Sequence, residues 1–102
     1  LDRDDAQGQI AALDPIPEAN PILFAYEPVE AIGSGRPQPA AEVDEAIKDI
    51  REYVGRNESV LYGGSVTSRN AAEYLALGSV AGLLVGGACL DADEFTRILD
   101  QV

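Results

Sequence analysis

Three short apolar runs, each leading into a glycine-containing turn or loop, leave this chain few ways to fold. Ile22-Leu23-Phe24-Ala25-Tyr26, Val60-Leu61-Tyr62 and Gly82-Leu83-Leu84-Val85 show no polar alternation, which is the pattern of strands covered on both faces. Pro21 and Pro28 bound the first. The second runs into Gly63-Gly64 and the third into Gly86-Gly87, while residues 27–38 hold Gly33, Gly35, Pro28 and Pro37 and read as a loop.

Helical stretches alternate with these runs. Residues 4–13 read as the end of a helix, with Ile10 and Leu13 apolar and Pro15 and Pro17 as the stop. Pro39 opens a second helix, where its missing N–H does no harm. Val43, Ile47, Ile50 and Val54 then form one apolar stripe, and Gly55 is the end signal. Asn70 with Glu73 predicts a capped helix through Leu77, stopped by Gly78. Asp91 with Glu94 predicts another, carrying Phe95, Ile98, Leu99 and Val102. Apolar strands alternating with amphipathic helices indicate a parallel α/β sheet.

In such sheets ligands sit at the carboxyl ends of the strands. Glycine there lets backbone approach an anion closely. One Gly-Gly pair is an ordinary tight turn; glycine after all three strands points to a bound anion.

Charge narrows the ligand. The net charge is −11, with seven Lys and Arg among eighteen Asp and Glu, which argues against nucleic acid, whose binding needs clustered cations. An anionic membrane surface is repelled likewise. A small anion must therefore be held by backbone N–H groups or by a single local cation. With 102 residues, 46% hydrophobic and 25% charged, the chain is expected to be one globular domain or a piece of one. Cys89 is the single cysteine, which fits a reducing cytosol, and without an activating neighbour it reads as a small buried side chain. The run Val80–Val85 is far shorter than the about 20 residues of a membrane span. A chain that opens on Leu1 and holds no methionine is expected to be a piece of a longer one.

Ala25-Tyr26-Glu27-Pro28-Val29, continuing into Ala31-Ile32-Gly33-Ser34-Gly35, resembles the catalytic strand and flexible lid of the triosephosphate isomerases. Tyr62-Gly63-Gly64-Ser65-Val66 resembles that family's next phosphate loop, and Leu84-Val85-Gly86-Gly87-Ala88 its last one. The resemblance runs from about residue 9 to 99 in the family's order. It implies a partial (β/α)8 TIM barrel, strands 6–8 with their helices, so that residues 1–102 are the C-terminal segment of a single barrel domain. It also implies interconversion of dihydroxyacetone phosphate and glyceraldehyde 3-phosphate through an enediolate, within glycolysis and gluconeogenesis, by a cytoplasmic homodimer.

On that resemblance Glu27 is the general base; a carboxylate serves best where water is excluded. Pro28 independently disfavours a helical Glu27 and holds it extended at the strand end. Substrate phosphate would be held by the N–H groups of Gly33, Ser65, Gly86 and Gly87. Pro28, Val29, Glu30, Ala31, Ile32, Ser34, Gly35 and Arg36 make up the rest of the lid, which Tyr62 and Ser65 would hydrogen-bond when it closes. No metal or organic cofactor is implied, since neither a His/Cys ligand cluster nor a dinucleotide fingerprint is present.

Several positions depart from the family. Its usual Trp at the first hinge is Glu30, its Lys-Thr at the far hinge is Arg36-Pro37, and its Asp-x-Asp-Gly is Ser79-Val80-Ala81-Gly82. The last change predicts that Arg51 loses a carboxylate partner. The surrounding helix, with Lys48, Asp49 and Glu52, reads as a solvated outer face. The family's electrophilic His and Lys come from strands outside this chain, which has no histidine, so the chain alone is expected to be inactive or nearly so. The alternative is a non-catalytic phosphate-binding half-barrel that assembles with a partner chain, or a structural one that pairs to hide its open edges.

Overall fold

All three apolar runs become strands in the computed structural model, which describes residues 1–13, 22–54 and 59–102. They are β1 (Phe24–Tyr26), β2 (Val60–Gly63) and β3 (Gly82–Leu84), parallel and ordered β1-β2-β3. Phe24 lies opposite Val60, Tyr26 opposite Tyr62, and Tyr62 opposite Leu83. Leu23, ahead of Phe24, is 64% exposed.

Around the sheet lie α1 (Ala6–Ala11), α2 (Ala40–Val54), α3 (Ala71–Leu75) and α4 (Ala92–Leu99). The α2 stripe behaves as its spacing predicts: Val43, Ile47 and Ile50 are buried together with Ala46, and Val54 is half-buried. They pack with Phe24, Tyr26, Val60 and Tyr62 from the sheet and Tyr74 from α3. Full burial of each large side chain is worth about 1.5–3 kcal/mol, so this one face supplies most of the driving force.

Side chains alternate along a strand, and the register sorts them. Phe24, Tyr26, Val60 and Tyr62 face the helices and are buried, whereas Ala25 and Leu61 face the other way and are half-exposed. Leu84 at the end of β3 is 42% exposed. Burial on both faces was the expectation; it holds on one face only, because no described element covers the second.

The outer edge of β1 has a short partner. The amino group of Leu1 donates to Ala25 O, and Glu27 N donates to Leu1 O at 2.7 Å. Arg3 reaches from the same segment to Asp49 on α2, at 2.6 Å, and to Glu45 at 3.4 Å. The charged face of α2 is therefore partly occupied by α1's approach, although Lys48 stays exposed and pairs with Asp44 at 2.7 Å.

Several boundaries differ from expectation. The first helix covers Ala6–Ala11 rather than 4–13, and α3 ends at Leu75 rather than Leu77. Asn70 makes no side-chain cap bond to α3. Asp91 does cap α4, accepting from Asp93 N and Glu94 N. Glu94, however, turns away to accept from Ser68 N at 2.6 Å. Of the final stripe only Ile98 is buried; Leu99 is 53% and Val102 88% exposed. Cys89, expected to be buried, is exposed, its thiol directed to Val85 O at 3.2 Å. Pro15, Pro17, Pro21 and Gly55 lie outside the described residues. No helix among the described residues is long and apolar enough to cross a membrane.

Candidate functional site

Alternation delivers Glu27 to the open face. Tyr26 points to the helices, so the next residue turns the opposite way, and Pro28, with φ −62° and ψ 128°, carries the chain onward in extended form. There the side chain lies across the end of β2. A Cβ on Gly63 would sit 3.0 Å from Glu27 Cγ, 3.2 Å from its Oε2 and 3.2 Å from Leu84 Cβ. Glycine at 63 is thus the space that Glu27 occupies.

The segment after Glu27 is the predicted loop, with one element inside it. Pro28 is buried, Val29–Ala31 form a 3-10 turn, and Ala31 is buried while Val29 and Ile32 are exposed. Beyond it Gly33 (φ 62°) and Gly35 (φ 71°) take left-handed backbone at the exposed tip. Ser34 Oγ accepts from Arg36 N at 3.0 Å. The near end is tied down: Ser65 Oγ donates to Ala31 O at 2.6 Å. That approach needs Gly64, whose φ is 143° and whose Cβ would lie 2.9 Å from both Ala31 Cβ and Tyr62 Oη.

Ser65 itself holds a left-handed φ of 52°, the one such non-glycine residue among those described. Such a conformation costs on the order of 1 kcal/mol or more and persists only when the surroundings impose it. Here Asn70 does so, its Nδ2 donating to Ser65 O at 3.0 Å and its Oδ1 accepting from Thr67 N at 2.8 Å. The cap expected of Asn70 is replaced by this loop closure. Both uses follow from the same short polar side chain competing for backbone groups, so the residue type alone does not separate them.

The resemblance has Tyr62 bonding the closed lid; here its hydroxyl donates to Gly64 O at 2.9 Å and accepts from Gln38 N at 3.1 Å, two residues past Arg36. Tyr26 Oη donates to Gln38 Oε1 at 2.8 Å, and Tyr74 Oη donates to Gln38 O. Burial, chiefly, pushes the Tyr26 phenol above its ordinary pKa, with the Glu30 charge adding to it. Burial does the same to Tyr74, whose ring lies 4.3 Å from that of Tyr62. The Tyr26 and Tyr74 hydroxyls stay protonated as donors throughout the physiological range.

Glu27, Gly33, Ser65, Gly86 and Gly87 all line one open cavity of about 790 Å³ at the carboxyl end of the sheet. Gly35 and Gly64 line it too, whereas Gly86-Gly87 enter it from the 3-10 turn Gly87–Leu90. Thr67, Arg69 and Asn70 are lining residues that sequence reading passed over. Arg69 is the single basic residue among the cavity's described lining, and its place four residues after Ser65 was the available signal. Arg51 lies elsewhere, its Nη1 donating to Ser79 O at 3.5 Å while Ser79 Oγ donates to Asp44 Oδ1 at 2.5 Å.

Chemically, the cavity offers one carboxylate facing several backbone turns, with Ile32, Val66, Leu84 and Val85 as apolar lining. That combination suits a small phosphorylated molecule and proton transfer within it. Comparison with known proteins agrees. The triosephosphate isomerase family model matches residues 5–102. A triosephosphate isomerase of Mesomycoplasma hyopneumoniae (strain 232) is 43% identical over 91 residues, 89% of this chain and 38% of the relative. One from Synechococcus sp. (strain JA-3-3Ab) is 42% identical over 94 residues, 91% of this chain and 37% of the relative. One from Mycobacterium sp. (strain JLS) is 45% identical over 84 residues, 74% and 32% respectively. The chain thus spans well under half the length of these relatives. By the family model, and by relatives matched over most of its length, it belongs to the triosephosphate isomerase family.

Proposed function

We propose that this chain supplies the base and the phosphate-holding turns of a triosephosphate isomerase, interconverting dihydroxyacetone phosphate and D-glyceraldehyde 3-phosphate. The observation that carries the reading is the convergence of Glu27 with Gly33, Ser65, Gly86 and Gly87 on one cavity. Glu27 takes a proton from one carbon of the triose and returns it to its neighbour through an enediolate. Backbone N–H groups of the four turn residues hold the phosphate, so no cluster of lysines is needed in a chain of net charge −11. The lid, residues 28–36, excludes water during the transfer.

On this reading residues 1–102 form the last three βα units of an eight-stranded barrel, and the uncovered face of the sheet, with Leu61 and Leu84, turns to the barrel interior. The whole enzyme acts as a homodimer in the cytoplasm, in glycolysis and gluconeogenesis. The group that polarises the substrate carbonyl comes from other strands: the chain has no histidine, and Lys48 projects from α2 into solvent.

The chain by itself is therefore expected to turn over glyceraldehyde 3-phosphate at a negligible rate. Joined to the N-terminal part of the Mesomycoplasma relative, it should give isomerase activity that Glu27→Gln lowers by about 10²- to 10⁴-fold. A joined enzyme indifferent to that substitution removes Glu27 as the base. A joined enzyme that is folded and binds phosphate but does no chemistry favours a phosphate-binding half-barrel instead.

A further inference from the structure

Gln38 stands just outside the loop read as the lid, yet three of its four hydrogen-bonding groups each meet a different tyrosine. Its N–H donates to Tyr62 Oη at 3.1 Å, its carbonyl accepts from Tyr74 Oη, and its side-chain Oε1 accepts from Tyr26 Oη at 2.8 Å. The first two bonds use backbone and would form with any residue at this position that has an N–H. The third is specific to the side chain. It ends on β1, on the residue that immediately precedes Glu27.

The other half of the side-chain amide faces the opposite way. Gln38 Nε2 points to Glu30 Oε1 at 3.5 Å, a long and exposed contact. One side chain therefore spans the mouth of the loop, from the strand behind it to the 3-10 turn at its near end. The Tyr26 bond is the stronger of the two, being shorter and partly buried.

We propose that Gln38 is a positioning residue: through its side-chain bond to Tyr26 it fastens the far end of the lid to the strand that carries Glu27. This rests on reading residues 28–36 as a lid over a phosphate site. The consequence is that the lid's exit and the base cannot shift independently. Displacing the exit pulls on Tyr26, and Tyr26 is held on its helix-facing side by a buried ring, so the movement is resisted.

Amide hydrogen exchange on the 102-residue chain, resolved by NMR, tests this directly. Gln38→Leu keeps the bulk and both backbone bonds but removes the acceptor. Tyr26→Phe removes the same bond from the other end. Each should speed exchange at the Gln38 amide, which donates to Tyr62 Oη, and at the Arg36 amide, which donates to Ser34 Oγ, roughly 2- to 10-fold, the range one net hydrogen bond covers. The double variant should be no faster than either single one. Gln38→Glu in a Glu30→Gln background restores an acceptor without adjacent like charge and should return exchange to within about twofold of the parent.

A residue that merely fills space would be satisfied by leucine, so parental exchange in Gln38→Leu overturns the proposal. Effects that add in the double variant overturn it as well, because they belong to two separate interactions. Inorganic phosphate titrated against the parent chain is the independent arm. If phosphate leaves the Gly33, Ser65, Gly86 and Gly87 amides unmoved, the phosphate-site reading fails, while the exchange data still decide the role of Gln38.

Discussion

The two faces of the three-stranded sheet are made from the same short strands and have opposite character. Toward the helices, Phe24, Tyr26, Val60 and Tyr62 are packed against Val43, Ile47 and Ile50. On the other face Leu61 is half-exposed, Leu84 is 42% exposed, and Glu27 lies across Gly63. The contrast teaches a division of labour: one face supplies stability and the other is left free to carry a polar group at the strand ends. A carboxylate could not sit on the packed face without a large desolvation cost.

The sharpest way to break this comparison is to cut into the packed face. Ile47→Ala should lower the unfolding free energy by about 2–5 kcal/mol, read from urea denaturation. Next comes the hinge between the faces. Gly64→Ala forces a Cβ to within 2.9 Å of Ala31 and the Tyr62 hydroxyl at a φ of 143°, and should cost about 1–3 kcal/mol in the same assay while loosening the loop after Glu27. On the open face Leu84→Ala should cost about 1 kcal/mol or less. Were it to match Ile47→Ala, something would have to be covering that face in solution.

Acid should produce a smaller, graded loss. Hydrogen bonds from Ser68 hold the Glu94 carboxyl below its ordinary pKa, and Lys48 and then Ser79 do so for Asp44. A depressed folded pKa gives stability that is present above the unfolded value and lost as pH falls through the folded one. Thermal midpoints should accordingly decline below about pH 4, and Glu94→Gln should flatten part of that decline. Smallest of all, Leu90→Ser, at a side chain 93% exposed, should change stability by no more than about 0.5 kcal/mol.

The helix side of the packed face was legible in the sequence because a single stripe encodes it locally. Val43, Ile47 and Ile50 needed only their spacing. The open face was not legible: an apolar strand such as 22–26 reads as covered on both sides, and what covers it is a property of other segments. Cys89 was misread for a related reason, since its type favours burial but its 3-10 turn lies at the rim. Within the candidate site, Glu27 and the glycine turns were visible through the family resemblance, and Pro28 gave a local reason for the placement of Glu27. Asn70 was read as a cap because its type does not separate capping from loop closure, and Gln38 was invisible because its three tyrosine partners are chosen by tertiary approach and not by neighbours in the chain.

Position 63 and position 27 share one volume, and this restricts how the protein can vary. A methyl group at 63 has nowhere to go unless the acid draws back, so Gly63→Ala should be tolerated far better alongside Glu27→Asp, whose carboxylate is one methylene shorter. On the proposed role of Glu27, the retracted acid would then stand off from the substrate. Drift at Gly63, which does not line the cavity, would in this way be answered at the proposed base, so that a position without a side chain limits the one beside it.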